Sequence, residues 1–348
     1  MRLDQSITIT GRVQKDAWAN KVLPPVEEVR AGFWSIPVPF PRHPMRYTLS
    51  YLATGPRDAI LVDPGWSSEE GWQHLLEGLK RTGVGIRGVT GIVVTHRHGD
   101  HLGLAERARQ ASGAWVGLGR NETLGLPESG GDDAWIGADR ALLHSWGVPA
   151  SRVGEIVYGE QWLSAERVLA RPDVRFADGE HLQGEGMDLE MVATPGHTEG
   201  HICLIDHVHG LLLSGDHVLP RITPNVSLQR GGPENPLRDY CRSLERMRCH
   251  EDMEVCPAHE YRFQGIGGRV DELLSDARSR SDEVLEIIDA RDAQSVWDIA
   301  RNLTWSRGWD SLVGPPLRLA LAETASHVAL LRSQGAELDI PLAEGRQK

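Results

Sequence analysis

Cysteine is scarce in this sequence and never closely spaced. Cys203, Cys241, Cys249 and Cys256 include no C-x-x-C pair, which excludes a zinc ribbon and a dithiol redox motif and leaves reduced thiols as the expectation. Long apolar runs are also missing. No stretch reaches the roughly 18 residues that span a bilayer, and the opening MRLDQSITITGRVQKDAW lacks the apolar core of a secretory signal. A soluble, cytoplasmic protein is therefore expected. No G-x-S-x-G elbow occurs, so a serine nucleophile of that type is excluded. Basic residues are outnumbered, 37 against 49 acidic, for a net charge of −12. Such a surface repels phosphate backbones and anionic membranes. It disfavours broad nucleic-acid binding, though not a small local basic patch, and it disfavours a membrane partner; a small-molecule substrate is expected. Internal repeats and low-complexity tracts are absent.

What is present is ordinary core material: 40% of the 348 residues are hydrophobic, enough for one large or two smaller domains. Short runs rich in Val, Ile and Leu, punctuated by Gly and Pro, predict strands at 32–39, 45–54, 59–65, 89–96, 114–119, 188–196, 201–207, 210–216 and 253–260. HICLIDHVHGLLLSGD reads as a hairpin turning near His207–Gly210. Helical patterns occupy 67–83, 101–113, 132–167 with a Gly-Val-Pro break, and 235–249. The character changes after about residue 265. Three helical patterns follow, then a short strand pattern, AELDI, which together suggest a winged-helix-like lobe over 266–348 beside a catalytic domain over 1–265. That lobe holds 10 Lys+Arg against 14 Asp+Glu, so a packing or lid role, or a homodimer contact, is expected rather than DNA binding. Val284, Ile287, Ile288, Trp297, Ile299 and Leu303 are its expected buried set.

The run Thr95-His96-Arg97-His98-Gly99-Asp100-His101 follows the apolar GIVV. Alternate residues at a strand end project to one side, so His96 and His98 can reach one metal together. Asp100 and His101 fall where a helix begins and point toward a second. Imidazole with carboxylate suits Zn, Fe and Mn. Later candidates also stand at strand ends: His197 after Pro195-Gly196, Asp216 after Ser214-Gly215, and His259 after Pro257-Ala258. A carboxylate at 216 can bridge two cations. His201 is read as orienting a ligand or closing the loop, and Asp63 as a ligand or an acceptor for an imidazole N–H. The other histidines, at 43, 74, 144, 181, 207, 209, 217, 250 and 327, are read as packing or surface residues, with His217 singled out because it adjoins Asp216.

Together, Thr-His-x-His-x-Asp-His, Pro-Gly-His-Thr-x-Gly-His, Ser-Gly-Asp and Pro-x-His, in this order from about residue 30 to 262, resemble the metallo-β-lactamase superfamily. The resemblance, to glyoxalase II and to an intracellular branch with a winged-helix-like C-terminal region, implies an αββα sandwich, an α/β fold. It implies one cation on His96, His98 and His197 and another on Asp100, His101 and His259, with Asp216 bridging. The cations are expected to be zinc, with iron or manganese as alternatives. Two cations about 3.5–4 Å apart make hydroxide available at neutral pH, and Asp100 doubles as a catalytic proton acceptor.

The implied reaction is hydrolysis of a thioester or related carboxylic ester. Zinc β-lactamases usually lack a carboxylate at the 216 position. Lactonases of the family carry a tyrosine shortly after it, where Val218-Leu219-Pro220 stands here. The alternatives are a lactonase or β-lactamase-like amide hydrolase, a phosphodiesterase or ribonuclease, a mononuclear iron persulfide dioxygenase, and a binding protein with a retired site. Trp66, the loop 221–225 and Tyr261 are expected near the substrate by position.

Overall fold

The computed structural model describes residues 6–124 and 131–342. The chain divides into two compact units, one of residues 1–123, 168–224 and 243–271, the other of residues 124–167, 225–242 and 272–348.

The first unit carries the strands. In chain order these are β1 (Thr8–Ile9), β2 (Glu27–Arg30), β3 (Phe33–Pro39), β4 (Tyr47–Thr54), β5 (Ala59–Val62), β6 (Gly91–Val93) and β7 (Trp115–Gly119), then β8 (Val174–Phe176), β9 (Glu180–Gly184), β10 (Met187–Ala193), β11 (Ile202–Asp206), β12 (Leu211–Gly215), β13 (Glu254–Pro257) and β14 (Phe263–Gln264). Among the described residues they form two seven-stranded sheets, ordered β2-β3-β4-β5-β6-β7-β8 and β1-β14-β13-β12-β11-β10-β9. The two sheets share a core in which Leu49, Tyr51, Val62 and Val93 of the first meet Met191, Leu204, Leu213 and Cys256 of the second. Helices α1 (Arg12–Asn20), α2 (Glu69–Arg81), α3 (Gly99–Leu102) and α4 (Ala105–Ser112) flank them. The expected αββα sandwich is present.

Local chemistry explains several elements. Ser68 caps α2 by accepting from the Gly71 N–H at 2.9 Å, with Glu69 and Glu70 in the first turn and Lys80 and Arg81 in the last. β3 contains Pro37 and Pro39, yet it lies inside a sheet. Its pairing with β2 involves only Phe33, Trp34 and Ser35, so the prolines fall beyond the neighbour's end, where no ladder donor is needed. The 201–216 hairpin is antiparallel, with Leu204 opposite Leu213 and Asp206 opposite Leu211.

Direction within the sheets positions the site. β5, β6 and β7 run parallel. β10 and β12 both pair antiparallel with β11, and β12 runs parallel to β13. The loops after β5, β6 and β7 leave one edge of their sheet, and those after β10, β12 and β13 leave one edge of theirs.

The remaining helices are α5 (Gly131–Ser145), α6 (Ala150–Ile156), α7 (Glu160–Arg167), α8 (Pro236–Met247), α9 (Ile266–Arg291), α10 (Val296–Ala300) and α11 (Pro315–Ser333). The second unit has its own core. Leu142, Leu143, Trp146, Val153 and Ile156 pack with Val284, Ile287, Ile299, Leu303 and Leu321, while Ile288 and Trp297 are half-buried against the same cluster. This unit draws on more chain than the residues after 265. The expected strand AELDI does not form, for residues 336–340 carry no ladder pairing. The Arg332 guanidinium instead donates to the Leu338 and Ile340 carbonyls there. No described helix is long and apolar enough to cross a membrane.

Candidate metal centre

The loops at the two edges are bonded to each other by backbone. Ile202 N–H donates to Thr95 O at 2.9 Å and Leu49 N–H to Ala258 O at 2.7 Å, while within the second sheet's edge Ala258 N–H donates to Gly215 O at 3.1 Å. Glycine is needed at two of these turns. Gly215 has φ 51°, and a Cβ there would lie 2.7 Å from His201 Nε2 and 2.8 Å from Thr95 Oγ1. Gly196, just before His197, has φ 141°. Asp63 (φ 50°) and Glu260 (φ 69°) adopt left-handed backbone without being glycine, a conformation held only where surroundings enforce it.

All seven residues expected to hold metal come together, in two groups. In the first, His96 Nε2 lies 2.9 Å from His98 Nδ1, which lies 3.0 Å from His197 Nε2. In the second, Asp100 Oδ2 is 3.4 Å from His259 Nε2 and 3.8 Å from His101 Nε2. Asp216 faces both: Oδ1 is 3.3 Å from His259 Nε2 and 3.6 Å from His101 Nε2, while Oδ2 is 3.8 Å from His197 Nε2.

The donor set fits divalent cations on an observation of this structure. His101 Nε2, His259 Nε2 and Asp216 Oδ1 are buried and lack a hydrogen bond of acceptable geometry, a costly arrangement unless an ion satisfies them. Their other ring nitrogens are engaged. His101 Nδ1 donates to Asp63 Oδ2 at 2.8 Å and His259 Nδ1 to Tyr47 O at 2.9 Å, which aims each Nε2 lone pair inward.

The electrostatics of the groups differ. Burial pushes His96 and His98 well below the ordinary imidazole range, so they are neutral donors. Burial opposes charge in the second group too, but there the opposite charges win. Asp216 and Asp100 raise His259 to about 10, Asp216 and Asp63 raise His101 well above its ordinary value, and the two imidazoles hold Asp100 and Asp216 below theirs. The carboxylates around His101 and His259 thus favour positive charge in the second group, which a cation would supply in place of the imidazole protons.

Supporting residues complete the site. Asp63 is an acceptor, not part of either donor group: beside His101 it accepts from the Thr95 N–H and hydroxyl, both at 2.8 Å. His201 is bonded to the turn that carries Asp216. Its Nδ1 lies 2.8 Å from Thr194 Oγ1, and its Nε2 accepts from the Asp216 N–H at 3.3 Å. Two residues escaped sequence reasoning. Buried Glu122 accepts from Thr198 Oγ1 at 2.7 Å and Gly200 N–H at 3.1 Å, with Arg97 Nε 3.6 Å away. It thereby ties the His96–His98 loop to the His197 loop, and burial raises its carboxyl to about 7. Glu260 accepts from the Arg221 and Ile222 N–H groups and the Arg221 side chain. Both stand just past strand ends, the same signal that marks the histidines. Glu122→Ala is expected to weaken metal affinity by about 10- to 100-fold with the fold intact, and Glu122→Gln by less. Metal titration of each variant checks this, and wild-type affinity for Glu122→Ala would contradict it.

The residues expected near substrate divide. Trp66 is 36% exposed and stacks on Phe40 at 4.4 Å; a Cβ on Gly99 would meet its ring at 2.9 Å, which places it beside the His98–Asp100 turn. Arg221 is bound to Glu260, and Asn225 belongs to the second unit, where it donates to Glu323. Tyr261 does not fit the expectation: it is 4% exposed and packs in the inter-sheet core. His217 is buried, and burial lowers it to about 3.

The chain is similar to known proteins of one superfamily. The family model described as "Metallo-beta-lactamase superfamily" matches residues 43–259. The Bacillus subtilis protein named "Probable metallo-hydrolase YqjP" is 26% identical over 309 residues, covering 86% of this chain and 92% of its own. The Haemophilus influenzae hydroxyacylglutathione hydrolase GloC is 26% identical over 207 residues, 58% of this chain and 80% of that protein. The crystal structure of the metallo-β-lactamase family protein TTHA1429 from Thermus thermophilus superposes with a TM-score of 0.74 at 28% identity, covering 89% of this chain and 96% of that one. The chain is a metal-binding hydrolase of the metallo-β-lactamase superfamily.

Proposed function

We propose that the protein is a binuclear hydrolase, with zinc as its metal, that cleaves a thioester or related carboxylic ester of a small molecule. The observation that carries the reading is Asp216, whose two carboxylate oxygens face different donor groups. His96, His98 and His197 would hold one cation, and Asp100, His101 and His259 the other. When bound, such a pair supplies Lewis acidity and hydroxide at neutral pH.

The chain's own residues supply the rest. Asp100 is kept anionic by His101 and His259, which suits it to accept a proton from the attacking water. Its backbone carbonyl accepts from Thr48 Oγ1 at 2.8 Å, which fixes the turn. In thioester hydrolysis the water oxygen adds to the acyl carbon and the C–S bond breaks, giving a carboxylate and a thiol. A thiol has a pKa of about 8.5, so it leaves as thiolate without a proton donor, whereas an alkoxide or amine needs one. The Haemophilus relative is named for hydrolysing a hydroxyacylglutathione, a thioester. Val218 and Leu219, after the Asp216 turn, are buried apolar residues and offer no phenol of the kind lactonases place there.

A substrate panel tests the reading. With a hydroxyacyl thioester, a lactone, a phosphodiester and nitrocefin, the thioester should give the highest kcat/KM. Phosphodiester turnover without thioester turnover would overturn it.

A further inference from the structure

A second histidine–carboxylate cluster occupies the outer face of the β9–β10 pair. Leu189 and Met191 of β10 are buried in the inter-sheet core, so the alternating Asp188 and Glu190 face outward. His181 of β9 stands directly opposite Glu190, on that outer face. The chain returns through β11 to His207, whose N–H donates to Asp188 O at 3.0 Å. β10 runs away from this cluster toward His197, and β12 away from it toward Asp216, so the cluster lies at the edge opposite the strand ends that carry those two residues.

The side chains are organised. His181 Nδ1 is 2.7 Å from Asp188 Oδ1, and His207 Nε2 is 2.7 Å from Glu190 Oε2. The two imidazole rings are 5.7 Å apart and within 16° of parallel. One donor atom from each of His181, Glu190 and His207 lies within 4.8 Å of the others. His250 is close enough for the charges of Glu190 and His207 to act on it. A single exposed His–carboxylate pair is commonplace and contributes little. Here two pairs converge from three chain segments, and Asp188 holds the His181 ring by one nitrogen, leaving the other for a cation, as carboxylates do behind metal-bound histidines.

We propose that His181, Glu190 and His207 form a peripheral binding site for a divalent transition metal of the Zn²⁺, Ni²⁺ and Cu²⁺ class, with Asp188 positioning His181. Two imidazoles and one carboxylate suit these ions over Mg²⁺ or Ca²⁺. The side chains of His181 and His207 are 36% and 39% exposed, so the site opens to solvent, keeps water in its coordination shell and binds more weakly than the buried centre. A cation here would fasten the edge strand β9 to β10 and to the turn after β11, at a place where sheets are otherwise open to mispairing.

The test titrates Zn²⁺, against a competing chromophoric chelator, into protein whose buried centre is already loaded. The wild type should bind one equivalent more than His181→Ala/His207→Ala, and Asp188→Asn should weaken that site by about tenfold or more. Hydrolytic kcat should be the same in all three, and bound Cu²⁺ should show nitrogen hyperfine coupling in the wild type that the double variant loses. Equal metal uptake by the wild type and the double variant would overturn the proposal, and wild-type affinity in Asp188→Asn would remove Asp188 from it. Because the count is a difference between proteins, it reads the same whether the buried centre takes one cation or two.

Discussion

Asp216→Ala should lose at least about 100-fold in kcat while the protein stays folded. Its carboxylate faces His259 and His101 through one oxygen and His197 through the other, so on the proposed binuclear reading its removal takes away the shared donor and the charge that would offset two cations. The backbone at 216 is secured independently, by the Gly215 turn and the bond from the Asp216 N–H to His201, and the strand beneath is buried. Circular dichroism should therefore be unchanged, and metal content should fall. A variant that keeps most of its kcat would sink the bridging assignment.

Asp63→Ala should damage both activity and stability. Asp63 is 2% exposed and accepts three bonds, from the Thr95 N–H, the Thr95 hydroxyl and His101 Nδ1. Each buried donor left unpaired costs about 1–3 kcal/mol. Water entering the gap recovers part of this, so a loss of about 3 kcal/mol is expected, or roughly 6–12 °C in Tm for a domain of this size. Activity should drop by about 100-fold or more, because His101 loses the acceptor that aims its Nε2. Asp63→Asn preserves the shape but presents an amide to the imidazole; it should keep more stability than the Ala variant and little more activity. Thermal unfolding and kcat, measured on both variants, separate the two contributions. An Asp63→Ala protein with the wild-type Tm would contradict the buried-acceptor account.

Much of this site was legible because its chemistry is local. Each ligand loop follows an apolar strand, and a histidine or carboxylate at the end of such a strand can be seen without knowing what it meets. The same logic found His201 and offered Asp63 as an acceptor. Residues defined by distant partners were not legible. Glu122 acts through Thr198 and Gly200, far away in sequence, and Glu260 through Arg221. His181 and His207 look like isolated surface histidines until strand pairing sets them beside Asp188 and Glu190. Tyr261 was placed near substrate by its position after His259, but the inter-sheet core claims its ring. In the fold, two-residue β1 has no periodicity to detect and exists through pairing with Gln264 and Phe263. α1 went unread, although Trp18 meets Tyr47 edge-on and lies under the Arg46 guanidinium. The buried set at 284–303 was readable from helical spacing, but its partners near Trp146 come from a remote stretch that only the folded chain reveals.

The central claim is that two cations sit between these loops and that both are needed. The direct measurement is metal analysis of protein stripped and then reloaded, with thioester hydrolysis followed at each addition. With the peripheral site removed by His181→Ala/His207→Ala, the account predicts two equivalents of zinc per chain and activity that keeps rising until the second is bound. Full activity at a single equivalent, or a protein that retains one iron and gains nothing from a second metal, would contradict it.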